Sequence, residues 1–218
     1  VFASAQAVPV SKYLDEQKKF LWVTSATTPE LLRNRNLAFT FRPQASSETF
    51  GEVAVRYLVE HGPDKLKKPA KEIKLAILAE DGPFGTSVAS GNEAEAKKVG
   101  VPVVARLGYP VALADFTPVI DKLKAAGPDV LLHTGFAADS ALFLRQAKDQ
   151  GLRFKAYVAH DSGHTRLTGL REALGKDVEH FHVVQPVLAD GIDWRRLKPG
   201  VGEATQEMVR RYKKEFGE

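Results

Sequence analysis

The chain has 218 residues, a formal net charge of +4 and no cysteine. This length allows one large α/β domain or two smaller lobes with a substantial buried core. Without cysteine, disulfides, cysteine–metal sites and thiol catalysis are excluded. The apolar runs are far too short to cross a bilayer, and the densest lysine cluster contains no aromatic side chain, so we expect no nucleic-acid partner.

The start of the sequence lacks the features of a translational start. The chain opens with Val1, and its only methionine is Met208. No basic segment followed by an apolar run, as in an export signal, is present at this end. We therefore expect either that a leader has been removed or that the chain is a piece of a longer protein.

The first part of the chain predicts several short elements. Small residues from Ala3 to Ala7 indicate a turn, and a helix from about Val10 to Lys18 and a strand from Phe20 to Val23 follow. Thr28 and Pro29 then have the pattern of a helix start, with a capping hydroxyl before a proline. We expect either simple capping there or a site for a carboxylate or phosphate, because free amides at a helix N-terminus attract anions.

The middle of the chain alternates between apolar runs and segments with helical periodicity. The predicted strands are Leu37 to Arg42, Ile73 to Ala79, Val101 to Ala105, Val130 to His133, Phe154 to Ala159 and Phe181 to Val184. From Ile73 onward, the starts of successive strands are separated by about the number of residues that one strand, one helix and two loops require. This alternation predicts a parallel sheet with crossover helices.

Apolar residues at helical spacing predict four amphipathic helices. Their apolar faces contain Phe50, Val53, Ala54, Tyr57 and Leu58 in the first, Phe116, Val119, Ile120 and Leu123 in the second, Leu144 and Ala147 in the third, and Met208, Val209, Tyr212 and Phe216 in the last. Asp115 is in place to cap the second of these helices.

The stretch from Ile73 to Ser87 predicts a buried strand, a turn and a helix that begins near Thr86. Ligands of open α/β sheets bind just past the carboxyl ends of the strands. Asp81, Phe84 and Thr86 follow such an end, so they are candidates for a pocket, although a plain turn explains them equally well.

The segment from His160 to His164, HDSGH, contains the residue types of a hydrolase triad. Neighbouring side chains cannot converge as a triad requires, and no G-x-S-x-G elbow occurs. The spacing of the two histidines suits a metal site on a helix, whereas Gly163 and the preceding strand indicate a loop. Dinucleotide and nucleoside-triphosphate fingerprints are also absent. We therefore expect no enzyme activity, no metal and no cofactor.

A set of small hydroxyl, aromatic and acidic residues remains on loops that follow strands. The set comprises Ser4, Ser25, Thr27, Phe84, Phe136 and Asp161. Asp161 would offer a fixed negative charge to the ammonium group of a ligand. Such a set suits reversible binding of a small molecule better than a reaction.

Several segments, taken in order, resemble the type I periplasmic binding proteins of ABC transporters, in the leucine/isoleucine/valine branch. The segments are SATTPELL, FRPQASSETFGEVAVRYL, KLAILAEDGPFGTS, GYPVALADFTPVIDKLKAAGPDVLLHTGF and FLRQAKDQGL. The resemblance implies an α/β fold with two Rossmann-like lobes, parallel sheets and a hinge. It assigns residues 1–42 to part of the N-terminal lobe, 43–183 to the C-terminal lobe and 184–218 to a return to the first lobe. Family members are longer at both ends, so we expect an incomplete fold.

The same resemblance implies roles for individual residues. Ser4, with the segment Ser25, Ala26 and Thr27, matches the positions that hold the carboxylate of a ligand. Phe84 and Phe136 match aromatic positions at its apolar part and its amine, and Asp161 matches the acid that pairs with the α-ammonium.

Two features depart from this pattern. Phe84 lacks the hydroxyl of the tyrosine often found at its position, as Phe136 does at the other aromatic position. His133, His160 and His164 are expected to add polar groups near the ligand. Both departures make an aromatic carboxylate an alternative to a branched-chain amino acid.

The resemblance therefore implies an extracytoplasmic, periplasmic solute-binding protein of an ABC importer. It would bind a small amino acid or related carboxylate between two lobes, deliver it to a membrane permease and act as a monomer. A ligand-sensing domain of a receptor or regulator is the alternative from another class, and an enzyme on the same fold ranks below both.

Overall fold

A computed structural model describes residues 3–165, 167–178, 181–186 and 193–217. The chain divides into two compact units, Val1–Gln185 and Pro186–Glu218. Each unit is described by itself below. In these residues, no helix has both the length and the apolar composition needed to span a membrane.

The first unit contains six helices and seven strands among its described residues. In chain order they are α1 (Ser4–Glu16), β1 (Leu21–Trp22), β2 (Thr40–Phe41), α2 (Ser47–Leu66), β3 (Leu75–Glu80), α3 (Pro83–Val99), β4 (Val103–Tyr109), α4 (Thr117–Ala126), β5 (Val130–Thr134), α5 (Ala137–Asp149), β6 (Ala156–His160), α6 (Leu167–Leu174) and β7 (His182–Val184). Short 3₁₀ turns, including Pro29–Leu31 and Asp161–Gly163, complete it.

Both sheets of this unit are parallel. β1 pairs with β2, and the larger sheet has the strand order β4-β3-β5-β6-β7. The parallel sheet predicted from the sequence is confirmed. Because all five strands run in the same direction, the loops after β3, β5 and β6 leave the sheet at one edge, which is where ligands gather in such folds.

Successive side chains of β3 pack into two separate cores, one on each face of the sheet. Leu78 belongs to a core with Leu131 and Phe143, whereas Ile77 belongs to a core with Val55 and Leu132. This is the alternation of a strand that is covered on both sides. Full burial of one such leucine or isoleucine side chain contributes about 1.5 to 3 kcal/mol, so the sheet is a firm base for its edge loops.

The helices α2 and α3 cross at two glycines. A methyl group on Gly51 would collide with the carbonyl oxygen of Val88 and lie 2.5 Å from the amide nitrogen of Asn92. A methyl group on Gly91 would collide with the carbonyl oxygen of Glu48. Because glycine has no side chain, the backbones of the two helices can touch at these two positions.

This crossing corrects the predicted apolar face of α2. Val53 and Tyr57 were expected on the buried face, but they are 42% and 36% exposed. Gly51 and Val55 are buried instead. Periodicity alone favoured the larger side chains, whereas the close contact with α3 selects the face that carries glycine.

The start of the chain also differs from the prediction. The segment from Ala3 to Ala7 is not a turn, because α1 already begins at Ser4. Ala7 is fully buried and packs in a small core with Val23 and Leu31, so small residues serve close packing here.

Two other helix starts differ as well. Pro29 begins only a 3₁₀ turn that ends at Leu31, and the Thr28 side chain makes no capping bond. Capping by Thr28 is therefore not observed, and a helix this short supplies no N-terminal site for an anion. By contrast, α3 begins at Pro83 and not near Thr86.

Among the described residues 193–217 of the second unit, one long helix, α7 (Val201–Phe216), follows a 3₁₀ turn at Trp194–Arg196. The expected apolar stripe lies on this helix, and Met208, Tyr212 and Phe216 are exposed within the described part of the chain. The assignment of residues to two lobes, with boundaries at residues 42 and 183, stays a prediction.

Candidate ligand-binding site

A small cleft in the first unit brings together residues that are distant in the sequence. Its lining consists of Ala3, Ser4, Ser25, Thr27, Phe84, Phe136 and Asp161. Six of the seven predicted site residues are among them. Ala26 is the exception, because its methyl group is buried in the core that contains Val23 and Leu31.

The cleft is narrow. Its empty volume is about 240 Å³, which includes space open to solvent, and the centre of a water-sized sphere has only about 10 Å³ in which to move. That room holds about one water molecule, whereas pockets for drug-sized ligands measure about 300 to 1,000 Å³. An amino acid therefore enters only if the walls move apart.

Three hydroxyl groups form one wall, which we call the hydroxyl wall: Ser4, Ser25 and Thr27. The Ser4 Oγ accepts a hydrogen bond from the Thr28 amide at 3.3 Å, which leaves its own proton for another acceptor. Within the described ranges, Ser25 Oγ and Thr27 Oγ1 make no hydrogen bond. Ser4 is also the first residue of α1, where the amides of Gln6 and Ala7 donate to the Ala3 carbonyl, whereas those of Ser4 and Ala5 precede the first intrahelical bond.

The backbone of Thr27 is held by two residues that do not line the cleft, Arg42 and Ser47. Its carbonyl oxygen accepts hydrogen bonds from the Arg42 guanidinium at 2.9 Å and from the Ser47 amide at 2.9 Å. Arg42 also donates to the Thr28 carbonyl at 2.6 Å. Burial lowers the pKa of Arg42, and the two carbonyls partly replace the water lost by its charge.

Two phenylalanines form another part of the lining, which we call the aromatic wall. The ring centres of Phe84 and Phe136 lie 6.2 Å apart at an interplanar angle of 40°. Phe84 is only 5% exposed and packs with Phe50 and Val88. This wall offers apolar contact and no hydroxyl group.

Asp161 lies directly after β6, with a φ of 43° in the left-handed region. Aspartate adopts this region more readily than most residues, so the turn fits its type. A side chain on Gly163 would collide with the Gly135 carbonyl and come 2.6 Å from Ser140 Oγ. Because Gly163 has none, the loops after β5 and β6 touch, and Phe136 and Asp161 line the same cleft.

A buried chain of aromatic and imidazole groups lies in the same part of the sheet. Tyr109 Oη is 3.1 Å from His133 Nε2, His133 Nδ1 is 2.5 Å from Tyr157 Oη, and Tyr157 Oη is 2.7 Å from His164 Nε2. Tyr109 Oη also lies 3.4 Å from the Thr134 carbonyl, which can only accept. Since a neutral imidazole has one donor and one acceptor, the chain is satisfied when His164 donates to Tyr157, Tyr157 to His133, His133 to Tyr109, and Tyr109 to that carbonyl.

Burial keeps these histidines neutral. It lowers the pKa of His160 to about 4 and, together with the neighbouring His160, the pKa of His164 to about 3. The pKa of His133 is also well below its usual value, because the ring is fully buried. None of the three lines the cleft, so they support its loops instead of adding polar groups to its surface. In the described part of the chain, no cluster of three or more metal-binding side chains occurs.

Sequence reasoning did not identify Arg42, Ser47, Glu80 or Ser87, which hold the walls in position. The serines before Glu48 have the composition of a helix start, and that signal was available. The partners of Ser47, which are Thr27 and Ser87, lie 20 and 40 residues away in the sequence, and no local pattern indicates such contacts.

A parallel α/β fold with hydroxyl, aromatic and acidic residues around one cleft is typical of a solute-binding protein. The chain belongs to the periplasmic binding protein family, whose profile matches residues 1–218.

Individual relatives agree with this assignment. A Leu/Ile/Val-binding protein homolog 7 of Brucella suis is 30% identical over 219 residues, which cover 100% of this chain and 53% of the relative. The structure of a leucine-binding protein from Thermotoga maritima has a TM-score of 0.80 at 18% identity, covering 100% of this chain and 56% of that one.

A solute-binding protein of R. palustris in complex with 4-hydroxybenzoate has the same fold, with a TM-score of 0.69 at 16% identity. The match covers 97% of this chain and 53% of that one. The chain spans about half the length of the relatives that it matches.

Proposed function

We propose that this protein is the extracytoplasmic solute-binding component of an ABC importer, which binds a small carboxylate-bearing ligand in the cleft and delivers it to a membrane permease. Ser4 and Thr27 hold the carboxylate, Phe84 and Phe136 pack on the apolar part, and Asp161 pairs with an amine. The observation that supports this most strongly is the convergence of the hydroxyl wall, the aromatic wall and Asp161 on one cleft.

An α-amino acid is the ligand class that uses all of these groups. The free hydroxyls and the N-terminus of α1 favour a carboxylate, since both present donors or partial positive charge. Asp161 favours the ammonium group, and the two phenyl rings favour an apolar side chain. The Thermotoga relative, a leucine-binding protein, supports the same class.

An aromatic carboxylate is the second candidate. The two phenylalanine rings suit stacking on another ring, and the R. palustris relative was solved with 4-hydroxybenzoate. For such a ligand, Asp161 would be turned away or bridged by water, because two carboxylates repel each other at short range.

The two classes are separated by a thermal-shift screen of the intact protein. One panel contains α-amino acids, and the other contains aromatic and aliphatic acids without an amine. A ligand at one hundred times its Kd stabilises the native state by about 2.7 kcal/mol, which raises Tm by several degrees.

We expect amino acids to raise Tm. Asp161→Asn should lower the affinity for amino acids about tenfold to a hundredfold, the usual range for a charged hydrogen bond. The exposed Asp64, changed to Asn, is the matched control and should leave binding unchanged. Stabilisation by amine-free acids alone would contradict the role of Asp161. No stabilisation by either panel would contradict the proposed ligand class as a whole.

The same binding step would also serve a ligand sensor. Transport predicts that the loaded protein stimulates ATP hydrolysis by a cognate permease in vesicles. A sensor would bind the same ligand without that stimulation.

A further inference from the structure

Ser47 makes hydrogen bonds in two directions from the first turn of α2. Its amide nitrogen lies 2.9 Å from the Thr27 carbonyl oxygen. Its Oγ lies 2.5 Å from Ser87 Oγ, although the two residues are 40 positions apart. Ser87 Oγ in turn lies 2.6 Å from the Pro83 carbonyl and 2.9 Å from the Phe84 carbonyl. Ser47 is fully buried and Ser87 is 9% exposed.

The available donors and acceptors fix which hydroxyl donates in each of these hydrogen bonds. The Thr27 carbonyl has two lone pairs, which the Arg42 guanidinium and the Ser47 amide already occupy at 2.9 Å each. The Ser47 hydroxyl, at 3.2 Å from the same oxygen, is therefore free to donate to the closer Ser87 Oγ. The Ser87 hydroxyl then donates to the carbonyls of the first turn of α3.

This series of hydrogen bonds through Ser47 and Ser87 connects the two walls of the cleft. At one end is Thr27 in the hydroxyl wall, and at the other is Phe84 in the aromatic wall. Phe50, one turn after Ser47 on α2, packs against Phe84 and adds an apolar contact along the same path. Ser47 itself does not line the cleft, so it acts only through these neighbours.

We propose that Ser47 is a positioning residue that limits how far the hydroxyl wall and the aromatic wall move apart when a ligand enters, and with it the length of ligand that the cleft prefers. The inference rests on the proposed function, since it assigns the carboxylate to Thr27 and the apolar part to Phe84. Selectivity follows because a ligand that touches both walls needs both at the right distance, whereas a ligand that touches one wall does not.

The first part of the test needs no ligand. Amide hydrogen exchange is measured on the intact protein, its Ser87→Ala variant and a Ser90→Ala control. Ser90 is matched because its Oγ, like that of Ser87, donates to the carbonyl four residues earlier in α3, that of Thr86 at 2.9 Å. Unlike Ser87, it makes no hydrogen bond to α2 among the described residues, and its other partner there is Arg106 at 3.3 Å. We expect Ser87→Ala to speed exchange at the amides of Ser47 and Thr28 about fivefold, the effect of losing one hydrogen bond. Equal protection of these amides in the Ser87→Ala and Ser90→Ala variants would show that the Ser47–Ser87 hydrogen bond does not hold the Thr27 loop, and would overturn the proposal.

The second part measures selectivity with free alanine, leucine and phenylalanine as probes. We expect Ser47→Ala to change the ratio of leucine to alanine affinity about fivefold, and Ser47→Ala/Ser87→Ala to change it no further, because both substitutions break the same bond. Ser47→Thr, which keeps the hydroxyl, should restore the ratio. A uniform loss of affinity for all three probes, or additive effects, would overturn the proposal.

The two parts separate this inference from the proposed function. If the unmodified protein binds none of the probes, the ligand assignment is wrong and the selectivity role of Ser47 is overturned with it. The exchange experiment then still decides whether Ser47 connects the two helices to the Thr27 loop.

Discussion

The carboxylate of Glu80 closes the N-terminus of α3, with Oε1 at 2.5 Å from the amide nitrogen of Gly85. Its Oε2 lies 2.6 Å from the amide of Gly82, and the side chain is almost fully buried at the end of β3. The positive end of this helix is thus neutralised by the chain itself. Under the proposed function, the carboxylate of a ligand would therefore depend on the hydroxyl wall and α1 and not on α3. Phe84 lies in the first turn of this capped helix.

We expect Glu80→Gln to destabilise the protein by about 1 to 3 kcal/mol, because one buried amide loses its charged acceptor. Urea unfolding followed by circular dichroism measures the change. Glu93, which forms an ion pair with Arg106 and is half-exposed, is the control, and Glu93→Gln should cost no more than about 1 kcal/mol. Equal effects of the two substitutions would show that Glu80 has no special role.

Mild acid is expected to destabilise the fold through its buried histidines. The pKa values of His160 and His164 are about 4 and about 3 in the folded protein, against 6.5 for an ordinary histidine. The unfolded chain therefore binds more protons below pH 6.5, and stability is lost as the pH falls through this window. The loss amounts to about 1.5 kcal/mol for each histidine between pH 6.5 and pH 5.

Chemical denaturation at a series of pH values tests this expectation. His164→Asn keeps a hydrogen-bonding side chain that does not titrate in this range, so it should flatten the dependence on pH. The exposed His61 on α2, changed to Asn, should leave the slope unchanged. A stability that is constant from pH 7 to pH 5 in the unmodified protein would contradict the neutral, buried state of the histidines.

The crossing of α2 and α3 predicts that Gly51→Ala destabilises strongly. The new methyl group would collide with the backbone of α3, which cannot yield as a flexible side chain can. We expect a loss of about 3 kcal/mol or more, at the upper end for overpacking. Ser90→Ala, on the exposed face of α3, is a control that should change stability by less than about 1 kcal/mol. A neutral Gly51→Ala would show that the helices do not touch there.

The neighbouring threonines Thr27 and Thr28 provide a matched pair for the hydroxyl wall. Thr27 lines the cleft, whereas Thr28 Oγ1 is buried and has no hydrogen-bond partner within the described residues. We expect Thr27→Val to weaken ligand binding by about tenfold, the effect of losing a hydrogen bond to a charged group. Thr28→Val should leave binding unchanged and stability equal or higher, since it removes an unsatisfied buried hydroxyl. Isothermal titration and thermal unfolding measure the two effects, and the opposite assignment would contradict the geometry of the wall.

The regular part of the fold was predictable because its signals are local. The strand from Leu75 to Glu80 is a continuous apolar run up to its last residue, and Gly127 ends α4 with a φ of 57°, as expected for a helix stop. The errors lie where tertiary contacts override local pattern. The segment from Ala3 to Ala7 has the composition of a turn, but packing against Val23 and Leu31 makes it helical.

The sequence selected most of the residues that line the candidate cleft, but not the contacts that hold them in place. Their role in ligand binding stays a prediction. Six residues that the resemblance selected do line one cleft. The bond between Ser47 and Ser87 joins residues 40 positions apart, and only the folded structure reveals it. The histidines of the HDSGH segment were expected near the ligand, yet both are buried. His160 is the last residue of β6, and His164, after the 3₁₀ turn, packs against Tyr157.

A crystal structure of the intact protein with the best ligand from the two panels tests the central claim most directly. We predict that the ligand carboxylate lies within about 3 Å of the hydroxyls of Ser4 and Thr27, with its apolar part between Phe84 and Phe136. A ligand bound instead in the groove lined by Tyr57, His61 and His182, which has more open space than the cleft, would contradict the account.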